Sequence, residues 1–266
     1  MKKSTQKRAC LGLIFVAALL IKIPLANAQS KSLVFPQKSF VFPQVTDGVF
    51  DGGYYKTTFM ILPASESSTS VVTCEFVLHG LGVDLDGKGL VTGWTTAISP
   101  GGYYVSSSSA DQQLHSGYAT LSCTDNVYAL VFYSTYAKDG TGTIAAVFGS
   151  SDSLCSALNS AQMTADQQGG SQLGIAIANN TTQTQTYNVF FFNSSTSNSI
   201  QATVTVPAQT SVAKFLTDIL PASSNRAGWV AITPADRFLF GVGFSAIALR
   251  YTGATFTPIP VSCYLC

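Results

Sequence analysis

Ionisable side chains are scarce in this 266-residue chain: charged residues make up 10% of it, against roughly 25% in an average soluble domain. Histidine is scarcer still, present only at His79 and His115. Glutamate occurs only at Glu66 and Glu75, so no pair of acids identifies a glycosidase-type site, which needs two carboxyl groups facing each other. No Gly-x-Ser-x-Gly elbow accompanies either histidine, and both read as strand-end residues beside glycine rather than as members of a catalytic triad. Helical periodicity is nearly missing as well. Apolar residues nevertheless make up 46% of the chain. The missing charge has been replaced by Ser, Thr, Asn, Gln and Gly, which suits a packed core under a neutral polar surface.

The N-terminus holds much of the charge there is. Lys2, Lys3, Lys7 and Arg8 precede an apolar run from Ala9 to Ile21, and Ala26-Asn27-Ala28 follows as a small-x-small cleavage site. This is the layout of a secretory signal peptide over residues 1–28, with a mature chain beginning at Gln29. The apolar run is shorter than the roughly 20 residues a membrane-spanning helix needs. No transmembrane helix is expected in the mature chain, and Cys10 lacks the apolar stretch that precedes a lipoprotein acylation site. The expected location is outside the cytoplasm: secreted, periplasmic or on the cell surface. Cleavage removes five of the fourteen basic residues and none of the thirteen acidic ones, leaving a formal charge of about −4. A mildly acidic chain with no basic cluster lacks the electrostatic footprint for a phosphate backbone, so no nucleic-acid partner is expected.

Short runs rich in Val, Ile, Thr, Phe and Tyr, separated by Gly, Asn, Ser and Pro, predict an all-β chain of antiparallel sandwiches. Strands are expected over residues 57–62, 71–78, 118–123, 127–136 and 143–148. The second half repeats the order of the first. Ser116-Gly117-Tyr118-Ala119 aligns with Ala227-Gly228-Trp229-Val230, and a gapless continuation sets Ser134 on Ser245. Upstream, the segment from Phe59 to Phe76 matches Ile175 to Phe192. Such self-similarity implies duplication. The expected organisation is an N-terminal extension over 29–41, a first sandwich over 42–150 and a second over 151–266. Tyr118 and Trp229 fall at one place in the repeat and are expected as apolar anchors beneath the sheet.

Phe42-Pro43-Gln44-Val45-Thr46-Asp47-Gly48, followed by Tyr55-Lys56-Thr57-Thr58-Phe59, resembles the opening of an immunoglobulin-like repeat common in secreted bacterial proteins. Ser116-Gly117-Tyr118-Ala119 and Gly174-Ile175-Ala176-Ile177-Ala178-Asn179 resemble its later signatures, "SGYA" and "GxAIAN". The resemblance spans residues 42–261 and departs from the pattern at Pro63, which follows Leu62 directly where the family has Asn-Pro. It implies two tandem immunoglobulin-like domains and is nearly silent on function.

The remaining motifs allow more than one chemistry. In a secreted chain the cysteines left after cleavage, Cys74, Cys123, Cys155, Cys263 and Cys266, are expected in disulfides. A Cys74–Cys123 bridge is favoured because both halves of the pair are absent from the second copy, which has Phe190 and Pro234 at the matching places. One cysteine of the terminal Cys-x-x-Cys would bind Cys155 or reach another chain, and the odd count leaves one over. Asp84-Leu85-Asp86-Gly87 reads as a hairpin turn, with a calcium loop as the alternative for Asp84 and Asp86. Tyr54, Tyr55, Tyr103 and Tyr104, beside glycine pairs, are candidate stacking platforms for a carbohydrate. Asn179, Asn180 and Asn193 match the glycosylation acceptor pattern but read as polar turns in a bacterial protein. Val34-Phe35-Pro36-Gln37 recurs as Val41-Phe42-Pro43-Gln44, and the first copy could pair with another molecule's sheet edge. No cofactor is implied. The expected function is a non-enzymatic structural or adhesive module whose partner is another surface protein or a glycan. A carbohydrate-binding module and a hydrolase with an unrecognised site are the alternatives.

Overall fold

The computed structural model describes residues 36–64, 70–87, 89–110, 112–149, 159–196, 198–236, 244–253 and 255–265. The signal-peptide segment and the 150–158 boundary fall outside these residues, as does the first Val-Phe-Pro-Gln copy up to Phe35. The chain is nearly all β, in antiparallel sheets. Its first half runs through β1 (Gln37–Phe50), β2 (Gly53–Pro63), β3 (Val72–His79), β4 (Val83–Asp84), β5 (Leu90–Val91), β6 (Gly93–Ile98), β7 (Tyr104–Ser107), β8 (His115–Ala137) and β9 (Gly142–Phe148). The second half adds β10 (Asn159–Asp166), β11 (Ser171–Asn179), β12 (Gln185–Asn193), β13 (Ser199–Val206) and β14 (Thr210–Phe215). A single helical turn, α1 (Leu216–Ile219), leads to β15 (Ala227–Pro234), β16 (Ser245–Thr252), β17 (Thr255–Ile259) and β18 (Ser262–Leu265). Among the described residues no helix is long and apolar enough to cross a membrane.

Period-two patterning explains the strands. In β12, Tyr187, Val189 and Phe191 are buried while Thr186, Asn188, Phe190 and Phe192 alternate with them on the wetter face. In the first half one long strand does the work of two. Residues 115–123 of β8 pair with β1 and β3, and residues 127–137 pair with β2 and β9. Residues 124–126, all exposed, mark where β8 passes from one set of partners to the other within the seven-stranded sheet. Phe59 sits at the centre of that core, 5.6 Å edge-on from Phe42 and 5.1 Å from Phe76, which stacks on Trp94 at 4.1 Å.

The two halves repeat one strand order. The run β6-β3-β8-β1 recurs as β13-β12-β15-β10, and β7-β2-β8-β9 recurs as β14-β11-β16-β17. Registers refine the alignment read from sequence. Cys74 faces Cys123, while Pro234 faces Tyr187 rather than Phe190. Tyr187 is fully buried, so a large ring fills the place that the sulfurs occupy in the first half. The gapless alignment also breaks after β15. Ser134 lies opposite Lys56 near the start of β2, but Ser245 lies opposite Ala178 near the end of β11. The continuous strand β8 corresponds to two separate strands, β15 and β16, in the second half.

The halves share a layer. On β11 and β16, Leu173, Ile175, Ile177, Ala246 and Ala248 point into the second core, and Ala176, Ile247 and Leu249 point into the first. All described residues therefore belong to one compact unit. The sharing also explains why Tyr118 and Trp229 differ. Tyr118 is fully buried with Val41 and Ala178, under the end of β11. Trp229 is 39% exposed on the outer face of its sheet and, among the described residues, belongs to no buried cluster. Only the first of the two expected anchors is an anchor.

Candidate binding cleft

The seam between the halves opens into a cleft of about 540 Å³, within the range that takes a small ligand. The first half supplies Tyr55, His115 and Tyr133, and the second supplies Lys214, Phe215 and Tyr251. Gly174 permits the second wall. A Cβ there would lie 2.9 Å from the Tyr251 ring, so only glycine lets that ring lie over β11. Phe215 meets Tyr251 edge-on at 5.4 Å and Phe256 lies 5.5 Å away, giving an aromatic wall built from three strands.

The polar groups of the cleft are mostly held by the fold itself. The Tyr133 hydroxyl donates to the Gln44 carbonyl at 2.5 Å, and the Thr57 hydroxyl donates to the Thr46 carbonyl at 2.7 Å. Burial, with a smaller contribution from Tyr251, pushes the Tyr133 phenol well above its ordinary range. Burial also pushes Tyr251 up to about 12, with Tyr55 adding to the shift. Both phenols stay protonated at neutral pH. The His115 ring lies between two backbone carbonyls, with Nδ1 2.7 Å from Gln113 and Nε2 2.6 Å from Gly82. Those contacts occupy both nitrogens and pin the segment before β8. Lys214 and Asp218 stand exposed at the rim.

His79 is elsewhere. Its ring stacks on Tyr118 at 4.2 Å, Nε2 lies 3.1 Å from the Thr120 hydroxyl, and burial lowers its pKa. The structure does not bring the two histidines together.

The four candidate tyrosines separate into different settings. Tyr54 stacks on Tyr136 at 4.8 Å beneath the Lys56 ammonium, and Tyr55 turns into the cleft. Tyr104 packs against the first core, opposite Ile61, whereas Tyr103 is 68% exposed. At about 3.3 Å per residue along β2, Tyr104 is roughly 20 Å from Tyr54 and Tyr55. They do not form one platform.

Asp84 and Asp86 stabilise the β4–β5 hairpin. Asp84 Oδ1 accepts from the Gly89 amide at 2.8 Å, and Asp86 accepts from the Ser106 hydroxyl at 2.5 Å and the Ser107 amide at 3.2 Å. Asp86 and Gly87 have φ of 53° and 73°, the left-handed pair that a tight Asp-Gly turn requires. Among the described residues no group of three or more His, Cys, Asp or Glu is placed to hold a metal.

Cys74 and Cys123 are joined by a disulfide across neighbouring strands. Cys263 is also disulfide-bonded, its partner lying outside the described residues, as do Cys155 and Cys266. The three acceptor-pattern asparagines are built into turns or the seam. Asn179 donates to the carbonyls of Gln183, Val206 and Pro207, Asn193 accepts from Ser195, and Asn180 accepts from Tyr118.

Tyr133, Lys214, Phe215 and Tyr251 were not distinguished in the sequence. Each reads there as an ordinary strand residue, and they meet only because the halves pack together. No family model, curated protein or solved structure matches this chain. The resemblance to the secreted bacterial repeat therefore rests on its motifs alone.

Proposed function

We propose that the chain is an exported, non-catalytic structural or adhesive module in which two immunoglobulin-like units work as one stiff body. The layer β14-β11-β16-β17 carries this reading. It contributes apolar side chains to both cores, so relative motion of the halves would disrupt packing on both its faces. A binding surface on such a body is preorganised, which lowers the cost of holding a partner. The disulfides at Cys74–Cys123 and Cys263 fit an oxidising compartment, and the leader-like N-terminus fits export.

Fractionation of expressing cells, combined with intact mass and a turnover panel of esters, glycosides and peptides, tests the reading. The expected outcome is a chain beginning at Gln29, oxidised at Cys74 and Cys123, found outside the cytoplasm and inert towards the panel. A reduced cytoplasmic chain would overturn export. Turnover that disappears on Lys214→Ala or Asp218→Ala would overturn the non-catalytic assignment and make the cleft an active site.

A further inference from the structure

The outer face of the sheet β13-β12-β15-β10 carries an exposed ring at Trp229, where the matching position of the first half, Tyr118, is fully buried. Trp229 stacks on Phe192 at 3.9 Å with the planes 8° apart, and Phe190 follows at 6.1 Å. The row across the sheet runs Ser199, Phe192, Trp229, Thr164. Phe192 covers one side of the indole, so its 39% exposure belongs to the opposite side and the outer edge.

The frame around the rings is polar but uncharged. Gln201 lies directly opposite Phe190 and donates to Asn188 Oδ1 at 3.0 Å, while Thr164 is exposed beside the indole. Along these four strands the single charged side chain is Asp166, at the end of β10, where Arg250 neutralises it at 2.8 Å.

We infer that this face binds a neutral glycan, with Trp229 as the stacking surface and Gln201, Asn188 and Thr164 as hydrogen-bonding groups for hydroxyls. The C–H face of a pyranose ring packs on an aromatic ring, and amides and hydroxyls both donate to and accept from sugar hydroxyls. The charge balance selects the ligand class. Along the strands themselves a polyanion or an anionic membrane would meet no cation, the exposed Arg226 standing at the edge of the face just before β15, and a cationic peptide would meet only a carboxylate that is already paired. The inference depends on the exported, non-catalytic reading for access to such a ligand.

The test is affinity electrophoresis and calorimetry of the mature chain against neutral soluble xylan, mannan, galactan and β-glucan. Trp229→Ala, Gln201→Ala and a Tyr103→Ala control are run alongside. Binding to at least one polymer is expected, weakened tenfold or more by Trp229→Ala, severalfold by Gln201→Ala and less than twofold by Tyr103→Ala. Gln201 is exposed, so an unchanged melting curve is expected for Gln201→Ala and its loss of binding would be local, whereas Trp229→Ala also loses the stack on Phe192 and should melt lower. No binding to any of the four polymers, or binding indifferent to both substitutions, would overturn the inference. A concentration-dependent dimer dispersed by Trp229→Ala would assign the face to a second copy instead, leaving the module reading intact. Turnover of a polymer would overturn that module reading.

Discussion

The Tyr118 hydroxyl, on β8, donates to Asn180 Oδ1, just past β11, at 2.9 Å, and so crosses the seam between the halves. The same ring stacks on His79 and is fully buried beside Val41 and Ala178. Tyr118→Phe should cost about 1 kcal/mol through the lost bond, and Tyr118→Ala about 3–5 kcal/mol through the cavity. Urea unfolding of both variants checks this. The coupling belongs to the pair, so Tyr118→Phe combined with Asn180→Ala should cost less than the two changes summed. Full additivity would show that the bond carries nothing across the seam.

The Cys74–Cys123 bridge closes a loop with a sequence separation of 49. In the chain-entropy description such a crosslink stabilises by about 4 kcal/mol, by restricting the unfolded chain. The double variant Cys74→Ala, Cys123→Ala should lose most of that in denaturant titrations under oxidising conditions. Each single variant should lose at least as much, with one thiol left buried and unpaired. A loss below about 1 kcal/mol in the double variant would mean that the unfolded chain is already compact around this loop.

The all-β class was legible because strands with one wet face, such as β3 and β12, bury every second residue. The bridge was legible for a different reason: both cysteines disappear together in the second half. The placement of Trp229 was not legible. Tyr118 and Trp229 share a position in the repeat, but burial depends on which outer face receives a neighbour, and that is a property of how the halves pack. The cleft was hidden for the same reason. Tyr133 and Tyr251 lie far apart in the chain, in strands whose local patterns look alike, and only the shared layer brings them to one seam. The loop between β15 and β16 changed length, and that defeated the gapless alignment beyond it.

Partly or wholly buried titratable rings, His79, Tyr251, Tyr133 and Tyr187, give the fold a two-sided pH response. Burial holds His79 below 6.5, so above 6.5 its folded and unfolded forms carry the same charge. As pH falls below 6.5 the unfolded state takes up a proton first, and stability declines until the folded pKa is passed. Tyr251 works in the opposite direction. Its folded value of about 12 stands above the ordinary 10.0. The unfolded state therefore loses its proton first, and stability falls as pH rises from 10 to 12. Tyr133 adds to the alkaline loss in the same sense. Unfolding midpoints should be flat between pH 7 and 9 and fall on both sides. His79→Gln should flatten the acid limb, and Tyr251→Phe should shallow the alkaline one. An unchanged acid limb in His79→Gln would place the response on other groups.

Gly117 and Gly228 explain why the repeat keeps a glycine before its aromatic residue. A Cβ on Gly117 would lie 2.1 Å from the His79 carbonyl oxygen, and one on Gly228 would lie 2.0 Å from that of Phe192. Both contacts are with backbone of the facing strand, so no rotamer change relieves them. Neither residue has a positive φ, and the constraint is therefore strand spacing rather than turn geometry. Gly117→Ala and Gly228→Ala should each destabilise by about 1–3 kcal/mol, the usual range for overpacking. The two sites also separate stability from binding. Gly228→Ala pushes β15 away from β12 at the Trp229–Phe192 stack and should weaken glycan binding as well as stability. Gly117→Ala disturbs β8 away from the Trp229–Phe192 stack and should leave binding within twofold of wild type. Equal effects of both glycines on binding would show that the stack is not where the ligand sits.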